Sequence, residues 1–522
     1  MNHLTKDRWR RLTKDECHYY QSKRLQRYIR DVVYPYCPYY RNLFDNHSLR
    51  PSDIQTVEDL AKIPFTDKHD LANTEEAPQR TREFVIQPNP KQLSSKPSTI
   101  VSAVLRGKKK TKERLSYEFR PVFMTSTTGR SADPVPFAYT KYDMDRLSVA
   151  GRRIMEIANG TEEMKMLNAF PYAPHLGFWQ AHYAGLAIGA LMVSSGGGKV
   201  MGTEGNIRML KKLQPEVLIG VPTFLYHLLN QAVEEGIQST QLKRIVLGGE
   251  KVETGIRRKL RELATRLGSK VPDVISTYGF TEAKVALIEP PFPHDKESSG
   301  YQVYPDMGIV EVVDPDTGEV LPLNTPGEIV YTPIDARGTI VVRYRTGDII
   351  DGGLTYEPCP YSGSMAPRLF GRIHRRSNVK ELDFGKIKGT LVDFNQLEHV
   401  LENIDHVGAW QIELRKHNND PLDLDEVILH IERKGGEETE LTREIERRFV
   451  AQTELRPNQI EFHSSREMRK RQGVGKEIKE IKILDNRAKA TLTATGSRNV
   501  SPVEKPKPSH TNGTFIHAGD HI

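Results

Sequence analysis

YGFTEA, residues 278–283, follows directly on the β-rich run at 274–276. A carboxylate beside a hydroxyl at a strand's end can hold Mg²⁺ on a nucleotide phosphate, since that ion takes one or two protein carboxylates plus phosphate oxygens. Thr281 and Glu282 form such a pair; a strand-to-helix turn with Glu282 as a helix cap is the plainer alternative. On either side, from residue 122 to 388, short apolar runs alternate with helical patterns. Residues 217–220, 244–247 and 274–276 read as strands, and 225–235 and 255–267 as helices. That alternation predicts a parallel α/β core.

After residue 308 the pattern changes. Residues 309–313, 327–331 and 339–343 read as strands joined by tight turns such as DPDTGE, which predicts a small β-rich subdomain. Beyond residue 371 a compact α+β unit is expected, with helices at 395–402 and 440–450 and strands at 408–414 and 426–431. The expected fold is therefore α/β. A large N-terminal region, 1–370, carries the α/β core and the β-rich subdomain, and 371–490 forms a small α+β C-terminal domain. The polar residues 491–522 read as a disordered tail. Residues 86–118 lack a sustained period and suggest a surface insertion or mobile loop.

Four further stretches carry chemistry. MTSTTGRSADPVP (124–136) packs hydroxyls, glycine and an arginine, which suits either a phosphate-wrapping loop or an ordinary surface loop. It does not match G-x-x-x-x-G-K-[ST], which argues against a P-loop NTPase. In YRTGDI (344–349), Asp348 could accept two ribose hydroxyls or close a hairpin. GRIHRRSNVK (371–380) and QGVGKEIKEIK (472–482) are basic, and a lysine after glycines suits a side chain that reaches a phosphate or a carboxylate.

Composition bounds the setting. The chain has 522 residues, enough for two or more domains, with 37% hydrophobic and 27% charged residues, as in soluble folded proteins. Its longest apolar run, 184–193, is too short to span a bilayer, and the charged N-terminus lacks a secretory apolar core. Only Cys17, Cys37 and Cys359 occur, which excludes a disulfide scaffold and points to the cytoplasm. The formal charge of +7 is concentrated in segments such as RGKKKTKER (106–114), which would attract a polyanion or simply be solvated. No aromatic-interleaved basic stripe marks single-strand nucleic-acid binding.

The ordered set formed by the Ser/Thr/Gly loop, YGFTEA, YRTGDI, the GR segment and a late lysine resembles the adenylate-forming superfamily. YIRDVVYPYCPYYRNLFD (28–45) and VEDLAKIPFTDKHDL (57–71) resemble the opening of its phenylacetate–CoA ligase-like branch, and EPCP (357–360) is similar too. The resemblance implies an AMP-forming acid–CoA ligase, in which ATP and a carboxylic acid give an acyl-adenylate and coenzyme A displaces AMP. It assigns Thr125, Ser126, Thr127, Thr128, Gly129 and Arg130 to the pyrophosphate loop. Gly248, Gly249, Glu250, Tyr278 and Gly279 would frame the adenine. Thr281 would touch the α-phosphate, Glu282 would hold Mg²⁺, Asp348 the ribose, and Arg372 ribose or phosphate. His374 falls at the hinge of a mobile C-terminal domain. Either Lys476 or Lys479 would serve as the adenylation lysine, with Lys479 slightly favoured. NAFPYAPHLGFWQAHYAG (168–185) falls where relatives line the acid, so Tyr172, His175, Phe178, Trp179 and His182 would receive an aromatic acid or, second, a medium-chain or polyketide-like one. A lone Cys359 gives too few ligands for the zinc site some relatives carry, so no zinc is expected. Two alternatives stand beside this reading. One is transfer to a carrier protein docked on the basic insertion, or to another non-CoA acceptor. The other is a non-catalytic nucleotide- or nucleic-acid-binding protein on the same scaffold.

Overall fold

The computed structural model describes residue 4 and residues 8–127, 134–238, 240–376, 379–382, 390–419, 424–453, 456–475 and 480–487. At its centre lies a six-stranded sheet. In spatial order its strands are Leu191–Ser194, Lys165–Asn168, Val217–Gly220, Arg244–Leu247, Asp273–Gly279 and Ala286–Ile288. The first five are parallel and the last is antiparallel. VLIG and RIVL are apolar or buried at every position, as strands covered on both faces must be. Helices Pro222–Glu234 and Thr254–Arg266 follow the two central strands, the first opened by a proline at its first position. The three strands and two helices expected here are present, with ends shifted by a residue or a few.

The second region is a four-stranded antiparallel sheet of Gly308–Val313, Gly327–Pro333, Tyr344–Ile350 and Ile373–Arg375. The strand expected at 339–343 does not form. Tyr40 Oη accepts from the Val342 backbone N–H, and Arg343 adopts φ +50°, so the chain turns there and Tyr344 starts the strand. Buried Arg146 joins this region to the core through Asp335 at 2.8 Å and the Met307 carbonyl at 3.0 Å.

The basic stretch differs from its expected loop. Residues 97–119 form two helices, Pro97–Arg106 and Lys108–Phe119, cornered at Gly107 with φ +84°. Ser102 and Thr111 hydroxyls bridge them at 3.2 Å, while Val104 and Leu105 remain exposed. The missing period is explained by a short hairpin whose helices bury little.

Past residue 394 the expected helices and strands are found. Val407–Lys416 and Asp425–Arg433 pair antiparallel, flanked in parallel by Ile483–Asp485 and Gln459–His463. Helices Phe394–Glu402 and Glu438–Thr453 supply Leu397, Leu401, Ile445 and Phe449 to a core with Trp410, Ile412, Leu429 and Ile431. This unit rests on the helices beside the central sheet. Tyr226 Oη donates to Glu432 Oε2 at 2.9 Å, and Lys259 Nζ donates to the Gly408 carbonyl at 3.1 Å. Among the described residues no helix is long and apolar enough to cross a membrane.

Candidate active site

The C-terminal ends of the parallel strands open into a cleft of about 1740 Å³. Turns at these ends expose backbone and side chains, which is why open α/β sheets bind ligands there. Strand Asp273–Gly279 delivers Tyr278, and the 3-10 turn Thr281–Ala283 delivers Thr281 and Glu282. The second sheet contributes Tyr344 and Asp348 from one strand and Arg375 from its neighbour, with Asp348 opposite Arg375 in register.

These side chains interlock. Tyr278 Oη donates to Asp348 Oδ2 at 2.8 Å, and Arg375 Nε pairs with Asp348 Oδ1 at 2.9 Å. Arg375 Nη1 also donates to the Thr346 carbonyl at 2.8 Å. Desolvation first, and the Asp348 charge second, raise the Tyr278 phenol well above its ordinary range, so it remains a donor. Tyr344 Oη donates to Glu282 Oε1 at 2.8 Å. Burial raises the Glu282 carboxyl, while its own backbone N–H and the Tyr344 hydroxyl pull it back. Among the described residues Glu282 forms no ion pair with a side chain. A buried carboxylate without a cationic partner is a fitting donor for a divalent cation.

The turn after strand Arg244–Leu247 supplies Gly248, Gly249 and Glu250. Gly248 is packed so closely that a Cβ would lie 2.3 Å from Thr277 Oγ1, and Gly249 has φ +81°. Glu250 Oε2 accepts from Thr223 Oγ1 at 2.7 Å. Glu480, from the C-terminal unit, meets Glu250 here. Burial and then the Glu250 charge push the Glu480 carboxyl well above the usual carboxylate range. Two residues on, Lys482 Nζ pairs with Glu398 Oε1 at 3.0 Å.

Of the sequence candidates, Thr127, His175, Phe178, Gly249, Glu250, Tyr278, Gly279, Thr281, Glu282, Asp348, Arg372 and His374 line the cleft. Arg372 Nε and His374 Nδ1 both bind Asp351, at 2.9 and 3.2 Å. Thr125 lies deeper, its hydroxyl 3.3 Å from Tyr139 Oη, and Thr127 Oγ1 accepts from the Val135 N–H at 2.9 Å to close the neck of the loop. Ser126 is tied by backbone to Pro174, and His175 Nδ1 lies 2.9 Å from the Ser126 carbonyl, so the acyl-side segment also fixes that loop's root. Tyr172 is exposed, and Trp179 stacks edge-on against Phe123 at 5.0 Å and Phe178 at 5.2 Å; neither lines the cleft. Thr128, Gly129, Arg130, Lys476 and Lys479 lie outside the described residues.

Sequence reasoning gave no role to Tyr344, Arg375, Glu480 or Lys482. Tyr344 opens the YRTGDI motif and Arg375 lies within the basic segment, but their partners sit across the sheet. Cys17 and Cys37 are buried with thiols pushed up to about 12 by that burial, too high for a nucleophile.

Comparison with known proteins agrees with this geometry. The AMP-binding enzyme family matches residues 146–334. Phenylacetate-coenzyme A ligase of Thermus thermophilus is 28% identical over 81% of this chain and 82% of its own. That of Pseudomonas putida is 26% identical over 80% and 82%. Among solved structures, 2-hydroxyisobutyryl-CoA ligase in its postadenylation state superposes with a TM-score of 0.71 at 18% identity, covering 93% of this chain and 94% of that one. The same ligase in its thioesterification state, at 19% identity and the same coverage of both chains, gives 0.58. In motif order and sequence, the chain is similar to the phenylacetate-coenzyme A ligases, and part of it matches the AMP-binding enzyme family.

Proposed function

We propose that this protein is an ATP-dependent acid–CoA ligase acting on an aromatic carboxylic acid. The observation that carries the reading is the meeting of Glu282, Tyr278 and Asp348 in one cleft at the sheet's C-terminal edge. In the first half-reaction a carboxylate oxygen of the acid bonds to the α-phosphorus and pyrophosphate leaves. In the second, the coenzyme A thiolate bonds to the acyl carbon and AMP leaves.

The residues divide the work by their chemistry. Asp348, already accepting from Tyr278 and Arg375, presents a fixed carboxylate for the ribose hydroxyls. Gly248 and Gly249 leave room for a flat base beside Tyr278. Thr281 offers a hydroxyl to the α-phosphate. Glu282 would hold Mg²⁺, which would neutralise the charge developing on the phosphates. His175 and Phe178 line the side where the acid would lie, and Phe178 gives that side an apolar ring. Thr128, Gly129 and Arg130 would complete the phosphate loop, and Lys476 or Lys479 would reach the reacting carboxylate. No cysteine is required, because the nucleophilic sulfur belongs to coenzyme A.

The family's two-state cycle would move residues 371–490 about His374. The unequal likeness to one ligase in two states supports an arrangement nearer the postadenylation one. The test is acid-dependent ATP–pyrophosphate exchange over aryl, fatty and hydroxy acids, followed by AMP release with and without coenzyme A. Exchange with an aryl acid and coenzyme A-dependent AMP release are expected. Exchange without that dependence would redirect the reading to a carrier-protein or other acceptor. Glu282→Gln should retain the fold by circular dichroism and lose exchange by at least about a hundredfold; near-normal exchange would remove the Mg²⁺ assignment.

A further inference from the structure

A second cluster lies on the C-terminal sheet, outside the cleft. Strand Asp425–Arg433 pairs in parallel with Gln459–His463, placing His430 beside Glu461 and Glu432 beside His463. Side chains alternate faces along a strand, so His430, Glu461 and His463 project from one face. His430 Nδ1 lies 3.1 Å from His463 Nε2 and 3.1 Å from Glu461 Oε2. His463 Nε2 lies 3.4 Å from the same carboxylate oxygen. Three lone-pair atoms thus converge in a nearly equilateral triangle. Tetrahedral zinc at about 2.0–2.2 Å from nitrogen and oxygen requires ligand separations of about 3.3–3.5 Å. The triangle is one slightly contracted face of that tetrahedron.

The surroundings complete the case. His430 Nε2 lies 2.9 Å from Glu413 Oε2, the carboxylate-behind-imidazole pairing that leaves Nδ1 free to ligate. Glu413 is itself held by Asn486 Nδ2 at 2.8 Å and Arg471 Nη2 at 3.3 Å. Arg471 Nη2 also abuts His430 Nε2, so the opposite tautomer, with Nε2 accepting and Nδ1–H donating to Glu461, is the arrangement of a simple hydrogen-bond cluster. The side chain of His430 is 3% exposed, that of His463 17% and that of Glu461 34%, so the triangle is closed behind and open on the Glu461 side, where a water can be the fourth ligand. Two imidazoles and one carboxylate select a borderline transition metal over Mg²⁺ or Ca²⁺.

We infer that His430, Glu461 and His463 form a zinc site that clamps strand Gln459–His463 to Asp425–Arg433. The sequence reading expected no zinc because Cys359 stands alone; these ligands come from two strands whose pairing is not visible in sequence. Bound metal would brace Ser464, the N-cap of helix Ser465–Arg471, which leads towards residues 476–479.

The test uses tag-free full-length protein stripped with a chelator and titrated with Zn²⁺ by calorimetry. One zinc per chain is expected, with a rise in thermal midpoint on binding. Co²⁺ in its place should give tetrahedral visible bands without thiolate charge transfer. His463→Ala and the more exposed Glu461→Gln, each checked for fold by circular dichroism, should weaken Zn²⁺ binding at least about tenfold and lose the midpoint rise. No stoichiometric binding by the parent protein overturns the site. So does binding that survives both substitutions, which would place zinc elsewhere, for example on His510, His517 and His521.

Discussion

Asp348 carries three demands on one carboxylate: the Tyr278 hydroxyl, the Arg375 guanidinium and, in the proposed reaction, the ribose. A carboxylate that is already fixed loses little freedom on binding, so its contribution lies in charge and position. Asp348→Asn keeps the shape, removes the charge and weakens both neighbours. The expected result is a rise of about tenfold in KM for ATP with kcat less affected, the size of a charge-assisted hydrogen bond. Unchanged ATP dependence would move the ribose contact elsewhere. At this scale the sequence was informative where a residue's role is local. YGFTEA and YRTGDI mark Glu282 and Asp348 by their own letters. Tyr344 and Arg375 acquire meaning only when two strands lie side by side, because their partners are 62 and 27 positions away. Trp179 shows the opposite limit: its ring is as apolar as Phe178's, and only packing decides which one faces the cleft.

Between elements, the joint of helix Thr254–Arg266 with helix Phe394–Glu402 is ionic. Glu253, the N-cap residue of the former, binds His399 Nδ1 at 2.9 Å and Lys251 Nζ at 2.6 Å. Burial pushes its carboxyl up, but the His399 and Lys251 partners outweigh that and leave it at about 2, against 4.5 unperturbed. A carboxyl depressed by folding stabilises the native state fully above the unperturbed value, and that stability is lost as pH falls towards the folded value. The thermal midpoint should therefore fall between pH 4.5 and about 2. Glu253→Gln should lower it at pH 7 and flatten the decline across that window; parallel curves for the two proteins would dismiss the joint. Element types were legible because buried runs such as VLIG and amphipathic helices declare their period. The failure at 339–343 has a specific cause, since a hydroxyl from residue 40 claims a backbone N–H that a strand would have used. The basic hairpin escaped for another reason: Gly107 sets a corner that no periodicity records.

Across the molecule, the proposed boundary between the large region and residues 371–490 falls at strand Ile373–Arg375, the outer strand of its sheet. Asp351 holds Arg372 and His374 together at that edge. The proposed hinge has a direct test. His374→Pro fixes φ and removes an N–H from the edge strand. Coenzyme A-dependent turnover should fall at least about tenfold while ATP–pyrophosphate exchange is largely retained; equal losses in both would rule out a hinge at this position. Fold class was readable from sequence because the sheets and helices declare their own hydrophobic patterns, whereas the contacts that join distant elements were not, being polar pairs with no period. Glu480 abuts Glu250, and burial together with the Glu250 charge raises its carboxyl well above the usual range, which favours its protonated form while the two surfaces touch. Separating them would return Glu480 to water and to its ordinary acidity. If the proposed cycle parts these surfaces, closure would favour uptake of a hydrogen ion and opening its release. Each catalytic cycle would breathe protons through this seam, visible as a transient pH change in weakly buffered single-turnover experiments and abolished by Glu480→Gln.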